Sequence, residues 1–476
     1  MLTIGHFLTT FSDYQPSGRE PALSNVVMDS REAQPGSLFV AVPGERVDGH
    51  TYVSDAFANG AVAALIEKSI AGDFTLLDLR TGKLPGDLNL KFPLCILVDN
   101  TVSALQASAF AWRQQFDVEV IGVTGSVGKT STKDLAHSVL STTYQTFKSP
   151  GNRNSILGLP LALFDLRPSH QLAVLEMAMY TPGEIARLCE LTQPKIGVVT
   201  LIGPVHMERA GSMEAIVAAK QELVEALPAD GVAILNRDDD RVMGMAEHTQ
   251  ARIFTYGLDA RADLWADNIL SMGLDGVRFT LHYRHESLSV QVPLLGRHSV
   301  HTALRATAVG LVKDMSWQEI MPGLRHLAQD QLRLVAVPGP SGSIIIDDTY
   351  NSSPDSALAA LNLLEDLDGR HVAVLGDMLE LGRVEEDSHR LVGRRVADVA
   401  DVLVTVGPRA RWIAEEALRV GMRPTHVHIA GDVETAIACL ETLIQPQDIV
   451  LVKASWGMRL DRIVAALGRD GPWLSH

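Results

Sequence analysis

The residues with the most explicit chemistry lie between Val118 and Lys133. An apolar, β-branched run turns through Thr124-Gly125-Ser126-Val127-Gly128. It then opens into a helical pattern, Lys129-Thr130-Ser131 and on to His137. A glycine turn points backbone N–H groups into one concavity, and a helix N-terminus adds partial positive charge, so the place suits phosphate. Lys129 is placed to reach the β- and γ-phosphates of a nucleotide, and the Thr130 hydroxyl to hold Mg²⁺. The strict phosphate-loop spacing fails at one position, where Val123 stands for the first glycine. An ordinary strand–turn–helix carrying Gly-Lys-Thr by chance is the bland alternative. Strand, turn, lysine, hydroxyl and helix in the required order argue instead for a nucleotide site.

Other candidate groups sit at strand ends. Glu176 is the carboxylate of an otherwise apolar run, Ala173 to Met179. Buried there it needs a cation; Mg²⁺ beside a triphosphate would serve, and so would a structural ion pair. His206 follows the strand-like run Lys195–Leu201, where a metal ligand, a base or a structural histidine all fit. Lys220 lies in the helical pattern Ser212–Val224, and spacing alone gives a solvated lysine. The run Gly231–Asn236 ends in Arg237-Asp-Asp-Asp240, and the polar loop Ser149–Ser155 precedes an apolar segment. Nearer the N-terminus, Asp29-Ser30-Arg31, Pro35-Gly36 and Gly44–His50 flank the strand-like Ser37–Val42, as ligand loops or as a plain hairpin. Towards the C-terminus, Asp347, Asp348, Gly376–Glu380 and Lys453–Ser455 mark strand ends that would line one edge of a second-substrate site. Helix capping by Asp and Ser accounts for part of that pattern.

These groups require a scaffold of alternating strands and helices, which implies an α/β fold with mostly parallel sheets and ligands at the carboxyl ends of the strands. A chain of 476 residues suits about three domains of roughly 150 residues each. We expect a small N-terminal α/β domain (1–103), a central P-loop domain with a mostly parallel sheet (104–329) and a C-terminal Rossmann-like domain (330–476). The helical stretch Ser103–Trp112 joins the first two. No G-x-G-x-x-G follows the first C-terminal strand, so dinucleotide binding is not supported. The composition, 46% hydrophobic and 21% charged, fits large cores, and a net charge of −16 argues against a nucleic-acid partner. Cys95, Cys189 and Cys439 form no metal spacing and read as reduced thiols. No apolar run reaches the ~18 residues of a membrane span, and Met1–Phe7 lacks the features of a signal peptide. The expectation is a soluble, cytoplasmic protein without internal repeats.

Taken together, Thr124–Ser131, Glu176, Gly203-Pro-Val-His206, Ala219-Lys220 and Asn236–Asp239 resemble the central domain of the Mur ligases. Asp29-Ser-Arg31, Asp347–Ser356 and Leu375–Gly382 resemble the branch that adds D-alanyl-D-alanine to UDP-N-acetylmuramoyl-tripeptide. The match covers essentially the whole chain. It implies an ATP-dependent, Mg²⁺-requiring carboxylate–amine ligase of peptidoglycan precursor synthesis, acting as a monomer on those two substrates. By the same resemblance, Lys129, His206 and Lys220 are catalytic, and Lys220 is carbamylated. Thr130 and Glu176, and His206 with Lys220, hold Mg²⁺. Thr124 to Ser131, Asn236, Asp238, Arg333 and Asp348 bind the nucleotide. Ser30, Arg31 and the loop 44–50 match the uridine-nucleotide site, and Asn351 and Asp377 the substrate side of the C-terminal domain. The chain departs from the family pattern at Ala178, Leu201, Ser299, Thr302 and Trp456. A ligase of another Mur step, or a non-catalytic nucleotide-binding relative, would share much of this pattern.

Overall fold

The described residues form three sheets, whose strands are mainly short runs of buried β-branched and apolar residues, the composition of sheets covered on both faces. The computed structural model describes residues 1–44, 47–84, 90–205, 207–325 and 334–468. These fall into two compact units, one of residues 1–122, 144–178 and 184–194, the other of residues 123–143, 179–183 and 195–476.

In the first unit, a five-stranded parallel sheet has the order Val26–Val27, Leu38–Val40, Ala63–Ile66, Leu94–Leu97, Thr75–Asp78. Phe39, Ala64 and Cys95 pack with Val53 and Ala56 of the helix Val53–Ala58. The helix Thr101–Arg113 starts where the Asn100 side chain accepts a hydrogen bond from the Ser103 N–H. Its buried Arg113 donates to the carbonyls of Phe116, Val118 and Thr192, which anchors the approach to the strand Glu119–Thr124. The strand Leu172–Glu176 pairs in parallel with Thr146–Lys148.

The strand Glu119–Thr124 passes from the first unit into the second. There the Thr200 N–H donates to the Thr124 carbonyl, at the end of the strand Pro194–Val199. Beyond Pro194–Val199, the order continues Val232–Asn236, Arg252–Gly257, Leu264–Ser271, parallel throughout. Leu264–Ser271, Val277–Tyr283 and Glu286–Val292 are antiparallel. Buried and open positions alternate along them because one face meets water, a feature that an expectation of a mostly parallel sheet did not specify. Helix Ser299–Val312 packs on the phosphate-loop helix Lys129–Leu140.

The last sheet has the order Val335–Pro338, Ile344–Asp348, Ile449–Lys453, His371–Gly376, Val402–Val406, Val427–Ala430. All its pairs are parallel except the first. Its two faces carry separate cores, one around Leu361, Leu375, Val396 and Leu403, the other around Val374, Val404, Val452 and Ile463. This is the Rossmann-like layout read from the sequence. The carboxyl ends of its central strands bring Asp347, Asp348, Asp377 and Lys453 to one edge. No disulfide joins the three cysteines, and no described helix is long and apolar enough to cross a membrane.

Candidate functional site

Gly125 and Gly128 fix the phosphate loop. Their φ angles of 141° and 83° lie where only glycine sits without strain, and a Cβ on Gly125 would fall 1.8 Å from Thr200 Oγ1. The loop is tied to the neighbouring strand end by long-range bonds. Ser126 N–H donates to the Leu201 carbonyl (2.8 Å), and the Ser126 hydroxyl both donates to Gly203 O and accepts from Gly203 N, each at 2.9 Å. The Thr200 hydroxyl donates to Val127 O at 2.7 Å. Lys129 Nζ folds onto the loop it follows, donating to the carbonyls of Gly125 (2.9 Å) and Ser126 (3.3 Å). Thr130, in the first helical turn, is buried, and Thr124 closes the strand in full burial. Ser131 follows on the same helix. The sequence pointed to this loop; the partners Thr200 and Gly203 were not legible there as a clamp.

Lys220 is 2% exposed, so the reading of a solvated lysine is wrong for this side chain. Burial drives its amine well below the ordinary lysine range, and the nearby charge of Lys129 adds to the effect. The helix Met213–Glu225 buries Ile216, Ala219, Lys220, Leu223 and Val224, so the lysine lies on the apolar stripe itself.

Asn236 ends its strand with its side-chain amide donating to Thr200 O (3.1 Å), which connects it to the clamp. Tyr256 also donates to Thr200 O, and burial pushes its hydroxyl up to about 12. Asp238 accepts from His301 Nε2 (2.8 Å) and from the amides of Leu258 and Asp259. Burial pushes its carboxyl up, but these hydrogen bonds win and hold it below the ordinary range. Asp239 accepts from Ile202 N–H and caps the helix Asp240–Gly244. Asp355, at the start of helix Pro354–Glu365, lies against Gly203. Burial raises its pKa, Arg241 pulls it back and Asp239 raises it further.

At the C-terminal sheet edge, the buried Lys453 donates to Asp348 Oδ2 (2.6 Å) and to the Asn351 carbonyl (2.8 Å), so these two expected ligands share one cation. Asp377 stands apart from them in role. It is 1% exposed, and its carboxylate accepts from the amides of Arg409 (2.9 Å) and Ala410 (2.7 Å), just ahead of the helix Arg411–Arg419. For this residue the capping alternative describes what the side chain does. Trp456 is exposed beside Tyr350, with Arg459 over its ring.

In the first unit, Ser30 is buried and its carbonyl accepts from the Asn59 side chain (2.9 Å). Arg31 is open to solvent, steadied by Asp29, whose carboxyl the Arg31 hydrogen bonds hold at about 2. Of the loop 44–50, residues 45 and 46 lie outside the described residues; His50 is buried between Asp48 Oδ1 and the Glu67 N–H, tying the turn Gly49–Tyr52 to the end of the strand Ala63–Ile66. Glu176 is 2% exposed and accepts from Asn154 Nδ2 at 2.8 Å, while its amide donates to Ser149 Oγ. The polar loop 149–155 therefore orients this carboxylate, a use its sequence did not specify. His206 and Arg333 lie outside the described residues.

Taken singly, the Thr130 hydroxyl in the second unit and the Glu176 carboxylate in the first are hard oxygen donors, the kind that Mg²⁺ takes. Among the described residues no cluster of three or more His, Cys, Asp or Glu forms a stand-alone metal site.

Three family models match the chain: the Mur ligase family catalytic domain over 22–72, the Mur ligase middle domain over 123–310 and the Mur ligase glutamate ligase domain over 332–456. The chain is 36% identical to the UDP-N-acetylmuramoyl-tripeptide–D-alanyl-D-alanine ligase of Bacillus subtilis (strain 168), covering 95% of this chain and 94% of that one. It superposes on the crystal structure of MurF from Acinetobacter baumannii with a TM-score of 0.83 and 30% identity, over 98% of both chains. MurF ligase from Thermotoga maritima in complex with ADP gives 0.76 and 26%, over 93% of this chain and 96% of that one. Identity of 36% over 95% of the chain, with three Mur ligase family models matched along it, shows that the chain belongs to the Mur ligase family.

Proposed function

We propose that this chain joins D-alanyl-D-alanine to UDP-N-acetylmuramoyl-tripeptide with ATP, through an acyl phosphate, in the cytoplasmic synthesis of peptidoglycan precursor. The observation that carries the reading is the 36% identity to the Bacillus subtilis ligase over 95% of the chain. Residues 1–103 take the UDP end of the acceptor, with Ser30 and the open Arg31 as contacts. Residues 104–329 take ATP, and 330–476 close on it and receive the amine, acting as a monomer.

A carboxylate is a poor electrophile, so the tripeptide's terminal carboxylate first attacks the γ-phosphorus and releases ADP. The backbone amides of 125–130 cradle the phosphates, and Lys129 exchanges its loop carbonyls for phosphate oxygens, countering the charge that develops. Thr130 and Glu176 would hold one Mg²⁺ and His206 with Lys220 a second, and the ions would add charge neutralisation. Lys220 serves there as a carbamate: a neutral amine adds CO₂ and loses one proton, giving an oxygen donor. Its burial and suppressed charge support that step. Asn236 and Asp238 line the nucleotide pocket, and Arg333 and Asp348 close over phosphates and ribose. The amine of D-alanyl-D-alanine, received near Asn351 and Asp377, then attacks the acyl carbon. The tetrahedral intermediate collapses to the amide and inorganic phosphate, and domain closure keeps water from the acyl phosphate.

The test is phosphate release from ATP with UDP-N-acetylmuramoyl-tripeptide, with and without D-alanyl-D-alanine. Release that needs both, with pentapeptide product, supports the reading. Release with a single amino acid moves the chain to another Mur step, and ATP binding without release under any amine makes it a non-catalytic relative.

A further inference from the structure

Arg305 has no role in the chemistry above, yet it sits against the phosphate loop. It is 3% exposed, on the helix Ser299–Val312 that packs along Lys129–Leu140. Its guanidinium faces Gly128: a Cβ there would lie 2.9 Å from Nη2, 3.6 Å from Cζ and 3.9 Å from Nη1. Nη2 donates to Thr302 Oγ1 at 2.8 Å, one turn back, and the group lies 5.8 Å from the Tyr256 ring centroid. Nε is buried without any hydrogen-bond partner, and among the described residues no carboxylate reaches ion-pairing distance. Asp238, nearby through Tyr256, is engaged by His301.

A strut beneath Gly128 would need bulk and the bond to Thr302, but no charge. Burying a guanidinium without a counter-charge costs free energy that an uncharged side chain of the same length avoids. The missing counter-charge therefore belongs to something the loop receives. We propose that Arg305 supplies the wall of the phosphate loop with a fixed positive charge whose partner is the phosphate chain of the bound nucleotide. It is a binding residue, which sets affinity according to the number of phosphates, and the inference rests on the nucleotide reading of the loop.

The experiment is calorimetric titration of adenosine, ADP and a non-hydrolysable ATP analogue into the full-length wild-type protein, Arg305→Met and Arg305→Lys, with Mg²⁺ present. Methionine keeps most of the volume without the charge; lysine keeps the charge. Arg305→Met should weaken ADP and the ATP analogue by on the order of tenfold or more, given the strength of charge–charge terms at partly buried sites. Adenosine should change by less than about twofold, and Arg305→Lys should recover most of the loss. Wild-type-like affinity of Arg305→Met for ADP and the analogue would overturn the proposal. So would an equal loss for adenosine and ATP analogue, which marks a purely structural strut. Should Arg305→Met not fold, Arg305→Gln removes the charge while keeping a donor for Thr302, and is read in the same way. Failure of the wild-type protein to bind ADP or the analogue would instead sink the nucleotide reading beneath it.

Discussion

Replacing Gly125 by alanine tests how far the loop geometry governs activity. The added Cβ would fall 1.8 Å from Thr200 Oγ1, 2.9 Å from Thr200 Cβ and 3.1 Å from the Thr200 amide nitrogen. Turning the threonine side chain relieves the first contact only; the other two require the strand end to retreat. Turning it also gives up the 2.7 Å bond to Val127 O, worth about 1 kcal/mol. A non-glycine residue at φ 141° adds about 1–3 kcal/mol of backbone strain. The sum, about 2–4 kcal/mol, falls on the loop that must cradle the transferring phosphate, and corresponds to a loss of roughly 30- to 1000-fold in kcat/KM. Substrate-dependent phosphate release measures it, with ADP affinity and thermal unfolding followed alongside. A second change, Thr200→Ala, removes the 1.8 Å clash but not the strain, so the double variant should recover only part of the loss. A Gly125→Ala enzyme within about threefold of wild type would refute the reasoning, because the loop would then be shown to tolerate a displacement on this scale.

Four further outcomes follow from the site. Lys129→Ala should nearly abolish turnover while leaving the fold intact by circular dichroism, since its loop carbonyl bonds are solvent-replaceable. Lys220→Met should also abolish turnover yet raise thermal stability of the CO₂-free protein. The sign follows from the lowered pKa: the unfolded chain keeps its proton up to about pH 10.4 while the folded chain does not, so wild-type stability rises with pH across that window, and the variant lacks the rise. Asp377→Asn should lower stability by about 1–3 kcal/mol in urea unfolding, because a buried carboxylate serving two amides loses its charge; a raised KM for D-alanyl-D-alanine at unchanged stability would place the carboxylate on substrate instead. For Asp238→Asn, the deficit in melting temperature against wild type should be largest above pH 5. It should shrink as the pH falls through the depressed pKa of Asp238, where the wild-type carboxylate also takes a proton.

Local chemistry made the scaffold of the site readable. The strand-like runs Ser37–Val42 and Lys195–Leu201 fall on the observed strands Leu38–Val40 and Pro194–Val199, and the phosphate-loop helix begins at Lys129 as its glycine turn dictates. Such elements declare themselves through runs of neighbours in sequence. The bonds that make the site a working unit join residues far apart in the chain: Ser126 to Gly203, Asn236 to Thr200, Lys453 to Asp348. Nothing in the spacing around Asn154 announces that its amide holds Glu176. Asp377 shows the converse. Its place at a strand end suggested a ligand contact, whereas two backbone amides from the next loop already use the carboxylate. A helix-capping aspartate and a substrate-binding one look alike until the partner loop is known.

The burial of Lys220, by contrast, was legible in principle. Residues 216, 219, 220, 223 and 224 follow the i, i+3, i+4 period of a buried stripe, and four of these five side chains are apolar. A cation on the apolar face of an amphipathic helix either finds an anion or gives up its charge. Spacing read without tracing the apolar stripe made Lys220 a solvated lysine; placing it on that stripe makes it a buried amine. The same arithmetic applies to Arg305, whose helix is buried on every side from residue 302 to 310. On both helices the charge that breaks the apolar pattern stands next to the phosphate loop. Folding tolerates such residues at a cost in stability, and under the proposals above the return for that cost would come from the ligand: for Lys220 a CO₂ that would convert it to an oxygen donor, for Arg305 a phosphate that would neutralise it.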